Sequence, residues 1–261
     1  MIKLAIIGGT GLDEFLEDGI KKEVTAIYRD KGQPVERSYN VESYMDGKVV
    51  FVNRHNVYLY PAQLVSPSNI DYNSLMVGLH QQGVTHVIST SAVGISRQDL
   101  GPGTIGVPDD FIDGLNFDVT IEVDGVTPDY ICAFFDEELR RMIKDSADQN
   151  SVNICDGGIY VRQKCGMVFE SRAQTRSITA DHPEEILYYG MTVPQELILA
   201  SSFGADESIP RMRYANITVA TNPAADLVKF IDHLENAAAF GNALPGVKKI
   251  LKGVVEELFR V

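Results

Sequence analysis

Leu4-Ala5-Ile6-Ile7 is an unbroken apolar run that ends at Gly8-Gly9-Thr10-Gly11. Apolar residues without alternation mark a strand buried on both faces, as in a sheet covered by helices on either side. Glycines at the end of such a strand permit a tight turn whose backbone N–H groups can close on an anion, and Thr10 adds a hydroxyl. The dinucleotide spacing GxGxxG and the P-loop spacing GxxxxGK[ST] are both absent, and Leu12-Asp13-Glu14 is acidic. What remains open is a simple phosphate pocket or a turn that binds nothing.

The rest of the chain keeps alternating between the two periods. Val49-Val50-Phe51-Val52 reads as a second strand ending at Asn53-Arg54-His55. Tyr72, Leu75, Met76 and Leu79 share one helical face, which predicts a helix over 71–82 stopped by Gly83. His86 to Thr90 reads as a strand broken at Ala92-Val93-Gly94. Phe135, Leu139, Met142 and Ile143 mark a helix face, Ile159-Tyr160-Val161 a strand, and Pro194 the first turn of a helix through Leu197 and Ala200. Ile217 to Thr221 reads as a strand ending at Asn222-Pro223. Val247, Ile250, Leu251, Val254, Val255 and Leu258 form the apolar face of a C-terminal helix. Strand–helix alternation of this kind predicts an α/β fold with a central sheet. No repeat, low-complexity tract or linker divides the chain, so one domain over residues 1–261 is the simplest reading.

A formal net charge of −13 repels nucleic-acid backbones and anionic lipid, so neither is an expected partner. The same charge means that any phosphate site must be built locally, from backbone amides and a few chosen cations. Cys132, Cys155 and Cys165 have no CxxC spacing, which argues against a disulfide framework and a zinc site alike. No apolar run approaches the ~20 residues needed to span a bilayer. A cytoplasmic protein with no metal is the expectation.

Candidate residues stand where predicted strands end, which is where open α/β sheets bind ligands. Arg54 has the fork to clamp a phosphate, with His55 beside it. Ser91, with small neighbours, allows close approach of a ligand. Glu170, after Phe169, and Asn222 offer a carboxylate and a carboxamide on separate segments that could read a purine edge. Each has a plain structural alternative when taken singly: a surface arginine, a strand-to-loop transition, a solvated carboxylate, a turn residue before proline.

Taken together, these segments resemble the methylthioadenosine phosphorylase and purine nucleoside phosphorylase family. The resemblance is carried, in order, by Ile6-Ile7-Gly8-Gly9-Thr10-Gly11-Leu12, Arg54-His55, Thr85-His86-Val87-Ile88 with Ser91-Ala92-Val93-Gly94, Phe111-Ile112-Asp113, Gly190-Met191-Thr192-Val193-Pro194-Gln195-Glu196 and Ala220-Thr221-Asn222-Pro223-Ala224-Ala225. The last of these is similar to the methylthioinosine phosphorylase branch. The resemblance implies a nucleoside-phosphorylase-like α/β domain with a central mixed, partly closed sheet flanked by helices. It also implies a homotrimer or hexamer, no cofactor, and inorganic phosphate as co-substrate with a purine nucleoside. On the matching positions, Thr10, Arg54, His55, Ser91 and Thr192 would hold phosphate, Met191 would lie against the ribose, and Ala92, Gly94 and Phe169 would frame the base.

Adenine-specific members carry Asp at the position of Asn222 and Ser at that of Glu170, so the pair here is that of the 6-oxopurine members. An ionised Glu only accepts, which suits the N1–H of a 6-oxopurine, and Asn can donate to O6 or share a proton at N7. Asn222 and Glu170 are therefore the expected catalytic and base-reading pair. The chain also departs from the family. It reads Gly166-Met167-Val168-Phe169 where the family has Gly-Pro-Arg-Phe, and Arg162-Gln163-Lys164-Cys165 where a Thr and a Glu or Gln are usual. Pro128 stands near the place of a His that lines the 5′ pocket. Two other readings stay open: a nucleoside- and phosphate-binding homologue with impaired turnover, and a phosphorylase of methylthioadenosine. A nicotinamide-dependent oxidoreductase is disfavoured by the failed fingerprint.

Overall fold

The computed structural model describes residues 1–13, 15–16, 18–55, 65–125, 132–162, 169–203, 212–228 and 233–260. In chain order the elements are β1 (Leu4–Gly8), β2 (Ile20–Asp30), β3 (Gln33–Tyr44), β4 (Val49–Asn53), α1 (Tyr72–Gln81), β5 (His86–Ile95), β6 (Ile105–Val107), β7 (Asp110–Asp113), β8 (Ile121–Glu122), α2 (Glu137–Gln149), β9 (Ile154–Asp156), β10 (Ile159–Arg162), α3 (Arg172–Asp181), β11 (Leu187–Gly190), α4 (Val193–Ser202), β12 (Arg213–Pro223) and α5 (His233–Phe259). All the strands belong to one mixed sheet flanked by helices. Its main path runs β7-β10-β11-β5-β1-β4-β3-β2-β8.

The sheet branches at β5. Along one side β5 pairs in parallel with β12 over its whole length. On the other side its first half pairs with β1 and its last residues, Gly94 and Ile95, pair with β11. β5 therefore does not break at Ala92-Val93-Gly94, as its sequence suggested. Pairing on both sides holds those small residues in the strand.

The continuous apolar strands are buried on both faces, as predicted. Ala5 and Ile7 of β1 face a core shared with α1 and α4, whereas Leu4 and Ile6 face a second core shared with α2 and α5. Helix α1 begins one residue later than predicted because Asp71 is its cap: the carboxylate accepts the Ser74 N–H at 2.9 Å. Phe135 lies before α2 rather than on it. It is buried all the same, and Asp136 caps that helix. Helix α5 starts well before Val247.

The long β2–β3 hairpin escaped the sequence reading. Only its later half alternates, with Val24, Ala26 and Tyr28 buried and Thr25, Ile27 and Arg29 outward. Its loop residues Lys31 and Gly32 both take positive φ, the requirement of a type I′ turn.

Parallel pairing brings the carboxyl ends of β1, β4, β5 and β12 to one edge. Gly8 stands opposite Asn53, and Asn222 opposite Gly94.

Candidate active site

Arg54 follows β4 at this edge, and it is 1% exposed. Its Nη1 donates to Thr90 O at 2.8 Å and to Thr192 Oγ1 at 3.1 Å. Its Nη2 donates to Glu196 Oε2 at 2.9 Å, and its Nε lies 2.7 Å from Glu196 Oε1. The fork that the sequence suggested for phosphate is thus turned onto a buried carboxylate. Burial works most strongly against the charged guanidinium, but Glu196 together with Tyr214, Tyr72 and Tyr160 outweighs it and holds the Arg54 pKa above its ordinary value. Burial also pushes Glu196 up, against Arg54 and the Tyr214 hydroxyl, which favour its anion. We take the pair as ionised, because a neutral Glu196 would leave a lone buried cation.

The glycines before Arg54 in space explain themselves here. A β-carbon on Gly9 would stand 3.0 Å from Arg54 Nη1 and would overlap Thr90 O. The Gly9 N–H donates to Thr90 Oγ1 at 3.0 Å, and Leu12 N–H closes the turn on Gly9 O at 3.1 Å. Gly11, at φ +88°, has the Phe240 ring packed where a side chain would go.

Thr192 precedes α4, but its hydroxyl does not cap that helix, because it serves Arg54. Its N–H donates to the Tyr160 hydroxyl at 3.4 Å, and the Ser91 hydroxyl bears on the same phenol. Arg54, Thr192 and Ser91 are therefore brought together around Tyr160, beside a helix N-terminus whose partial positive charge favours an anion. Gly190 is required because the Tyr160 hydroxyl fills the place of its β-carbon.

The remaining suggested anion ligands are His55 and Thr10. His55 is half-buried, with Nδ1 2.8 Å from Val65 O, so the neutral ring carries its proton on Nδ1. Burial, then the nearby Arg54 charge, hold its pKa below the ordinary value despite the Val65 carbonyl. Thr10 is exposed in the turn after β1.

A second cluster lies where β12 meets β5. The register shifts between Ala220 and Asn222, a bulge that sets Asn222 opposite Gly94. A β-carbon on Gly94 would lie 3.0 Å from Asn222 Nδ2 and 3.7 Å from Glu170 Oε1. The carboxamide and the carboxylate chosen from sequence thus both come close to Gly94. Asn222 Oδ1 accepts from Thr221 Oγ1 at 3.1 Å, and its Nδ2 donates to Pro223 O at 2.8 Å. Burial raises the Glu170 pKa, opposed by its own N–H and that of Ala225 and reinforced by Asp226. Phe169 and Met191 are half-buried, and Ala92 packs against the α2–α5 core. Met167, Val168 and Pro128 lie outside the described residues. A surface cavity of about 450 Å³, lined by Leu100, Thr104, Cys155 and Asn242 among others, shares no residue with either cluster.

Comparison with known proteins gives the setting for this geometry. Residues 3–258 match the model of the phosphorylase superfamily. The chain belongs to that superfamily. Among its superfamily relatives, an S-methyl-5′-thioadenosine phosphorylase of Hyperthermus butylicus is 30% identical over 98% of this chain and 88% of its own length. A chain of Korarchaeum cryptofilum described as a probable 6-oxopurine nucleoside phosphorylase is 28% identical over 99% of this chain and 87% of its own. The fold matches a Schistosoma mansoni adenosine/methylthioadenosine phosphorylase crystallised with methylthioadenosine. That match has a TM-score of 0.77 at 22% identity and covers 100% of this chain and 93% of that one.

Sequence reasoning passed over Glu196, Tyr160, Tyr214 and Asn216. Glu196 had a usable signal, as the lone charge in the otherwise uncharged run Val193 to Ala200. The other three look like ordinary strand residues. Among the described residues no group of His, Cys, Asp or Glu is arranged to hold a metal, and no helix is long and apolar enough to cross a membrane.

Proposed function

We propose that this phosphorylase-superfamily protein catalyses phosphorolysis of a purine nucleoside and prefers a 6-oxopurine base. The observation that carries the reading is the approach of Asn222 and Glu170 to one point beside Gly94. In the proposed reaction a phosphate oxygen bonds to C1′ as the C1′–N9 bond breaks. The bonding pair leaves with the purine, and the products are free base and pentose 1-phosphate. The sugar gains oxocarbenium character, which the adjacent phosphate stabilises while it is held in line for attack. Thr192, Thr10 and the backbone of the first turn would supply donors to phosphate, and Ser91 would join them by turning its hydroxyl proton from Asn216 Oδ1 to the anion. Arg54 would act mainly through its one Nη2 proton that has no acceptor among the described residues. Glu170 would accept N1–H, and Asn222 would stabilise the purine as electron density builds at N7 and O6. Met191 would face the ribose, and Phe169, Ala92 and Gly94 would frame the base.

The occupied fork of Arg54 also favours the second reading, a binding homologue with impaired turnover. One experiment separates the two: release of free base from inosine, methylthioinosine, adenosine and methylthioadenosine, with and without phosphate. Phosphate-dependent release, fastest from the inosine compounds, is expected. Tight nucleoside binding with no release would establish the second reading. We further propose a homotrimer or hexamer, to be measured by light scattering.

A further inference from the structure

The Arg54–Glu196 pair does not stand alone. Glu196 Oε2 accepts from the Tyr214 hydroxyl at 2.7 Å, and Tyr214 meets Ser89 Oγ at 2.6 Å. Asn216 Nδ2 donates to Ser89 Oγ at 2.7 Å, and its Oδ1 accepts from Ser91 Oγ at 3.1 Å. A buried polar chain therefore runs from Arg54 through Glu196, Tyr214, Ser89 and Asn216 to Ser91. Its members come from β4's end, α4, β12 and β5, and each is at most 3% exposed. Tyr160, which meets both Thr192 and Ser91, nearly closes the chain into a ring. Chains of this kind are rigid when every member is satisfied.

We propose that Glu196 is the positioning residue of the anion site. It locks Arg54 in place and cancels its charge, and through Tyr214, Ser89 and Asn216 it fixes the hydroxyl of Ser91. The inference rests on the reading of Arg54, Ser91 and Thr192 as a phosphate site. Its functional consequence follows from charge. Phosphate enters as an anion, and pentose 1-phosphate must leave as one. A free buried guanidinium would hold both tightly; one paired with Glu196 lets neutral donors do most of the holding, so the product can depart.

The test is Glu196→Gln, which keeps the shape. With its amide oxygen in the place of Oε2 it can still accept from Arg54 Nη2 and the Tyr214 hydroxyl, while its amide nitrogen takes the place of Oε1 beside Arg54 Nε. With the negative charge gone, KM for phosphate should fall about 10-fold. The nucleoside KM should stay within about 2-fold of wild type, and kcat should fall as product release slows. Glu196→Asp, which restores the charge, should bring the phosphate KM back toward wild type. A residue that merely supports the fold would raise the phosphate KM or leave it alone when replaced, so either outcome in folded Glu196→Gln overturns the proposal. Should that variant not fold, Tyr214→Phe decides. It spares the ion pair but cuts the arm to Ser91, so the phosphate KM should rise about 3-fold at constant nucleoside KM. No change would overturn the proposal. Calorimetry of inorganic phosphate with the wild type keeps the two readings apart. Absence of any phosphate binding there refutes the phosphate site itself, whereas binding with unaltered variants refutes only the role of Glu196.

Discussion

The carboxamide nitrogen of Asn222 stands 3.0 Å from the point where Gly94 would carry a β-carbon, and Glu170 Oε1 stands 3.7 Å from the same point. Gly94→Ala would fill that point. The new methyl group would press Asn222 out of place and occupy room needed by a base. We expect the nucleoside KM to rise about 10- to 100-fold, equivalent to ~1.4–2.7 kcal/mol, with the phosphate KM little changed. Steady-state kinetics with each substrate varied in turn checks this. An unaltered nucleoside KM would show that the base sits elsewhere.

That glycine also shows how far the sequence could be read. The strands β1, β4 and β12, helices α1 and α4, and the residues Asn222, Glu170 and Gly94 were all found in it, because apolar periodicity and strand ends are local signals. The β2–β3 hairpin was not, because the outward half of β2, from Ile20 to Glu23, is exposed throughout and carries no alternation. The fork of Arg54 could be seen as a cation but not as a partner of Glu196, which lies 142 residues away in the chain. Tyr214 and Asn216 gave no sign, since their polar contacts depend on which face of β12 meets α4 and β5. Periodicity assigns a face to a strand residue, not a neighbour.

Acid should destabilise the folded chain. Burial, the largest cause in each case, holds the pKa values of His55, His80 and His86 below the ordinary histidine value. Between the folded pKa values and about 6.5 the unfolded chain binds more protons, so the stability from neutral histidines is complete above pH ~6.5 and is lost as pH falls. The slope is at most ~1.4 kcal/mol per pH unit per histidine. It is smaller in each case, because water partly reaches all three rings. Glu170 opposes this trend: its raised pKa favours the protonated folded form, a contribution lost as pH rises through its folded value. Thermal unfolding from pH 7.5 to 5 should show a falling Tm that flattens in His55→Gln. A Tm that rises on acidification would contradict the assignment.

Asp113 should matter for stability without touching substrate. It grips Arg162 at 2.7 and 2.9 Å, and it also accepts the N–H groups of Leu115 and Phe117 at 3.1 and 2.8 Å. Arg162 is 4% exposed, so Asp113→Ala would leave a buried cation unpaired and two amides short of an acceptor. The expected cost is about 3–5 kcal/mol, measurable by denaturant titration. A loss below about 1 kcal/mol would mean that Arg162 finds another partner or water.

Base choice is the prediction on which the functional reading turns. Glu170 and Asn222 come from separate segments and yet face one point beside Gly94. Both depart from the adenine-reading pattern of Ser and Asp, and both depart in the direction that suits a 6-oxopurine. An ionised Glu170 finds a donor in N1–H of hypoxanthine and none at N1 of neutral adenine. Asn222 can donate to O6, while an Asp in its place would accept from a 6-amino group. One hydrogen bond gained and one mismatch avoided amount to roughly 2–4 kcal/mol, or about 30- to 1,000-fold in kcat/KM. Asn222→Asp should therefore shift preference toward adenosine compounds, and more so with Glu170→Ser. The raised pKa of Glu170 adds a second, independent check. Its protonated carboxyl can donate to N1 of adenine, so discrimination should narrow as pH falls and widen as the carboxylate forms. A side-by-side assay of the inosine and adenosine compounds on wild type and both variants, repeated at two pH values, settles the matter. Equal or better use of the adenine compounds by the wild type at pH 7.5 would remove the 6-oxopurine assignment and leave a methylthioadenosine phosphorylase as the reading to test.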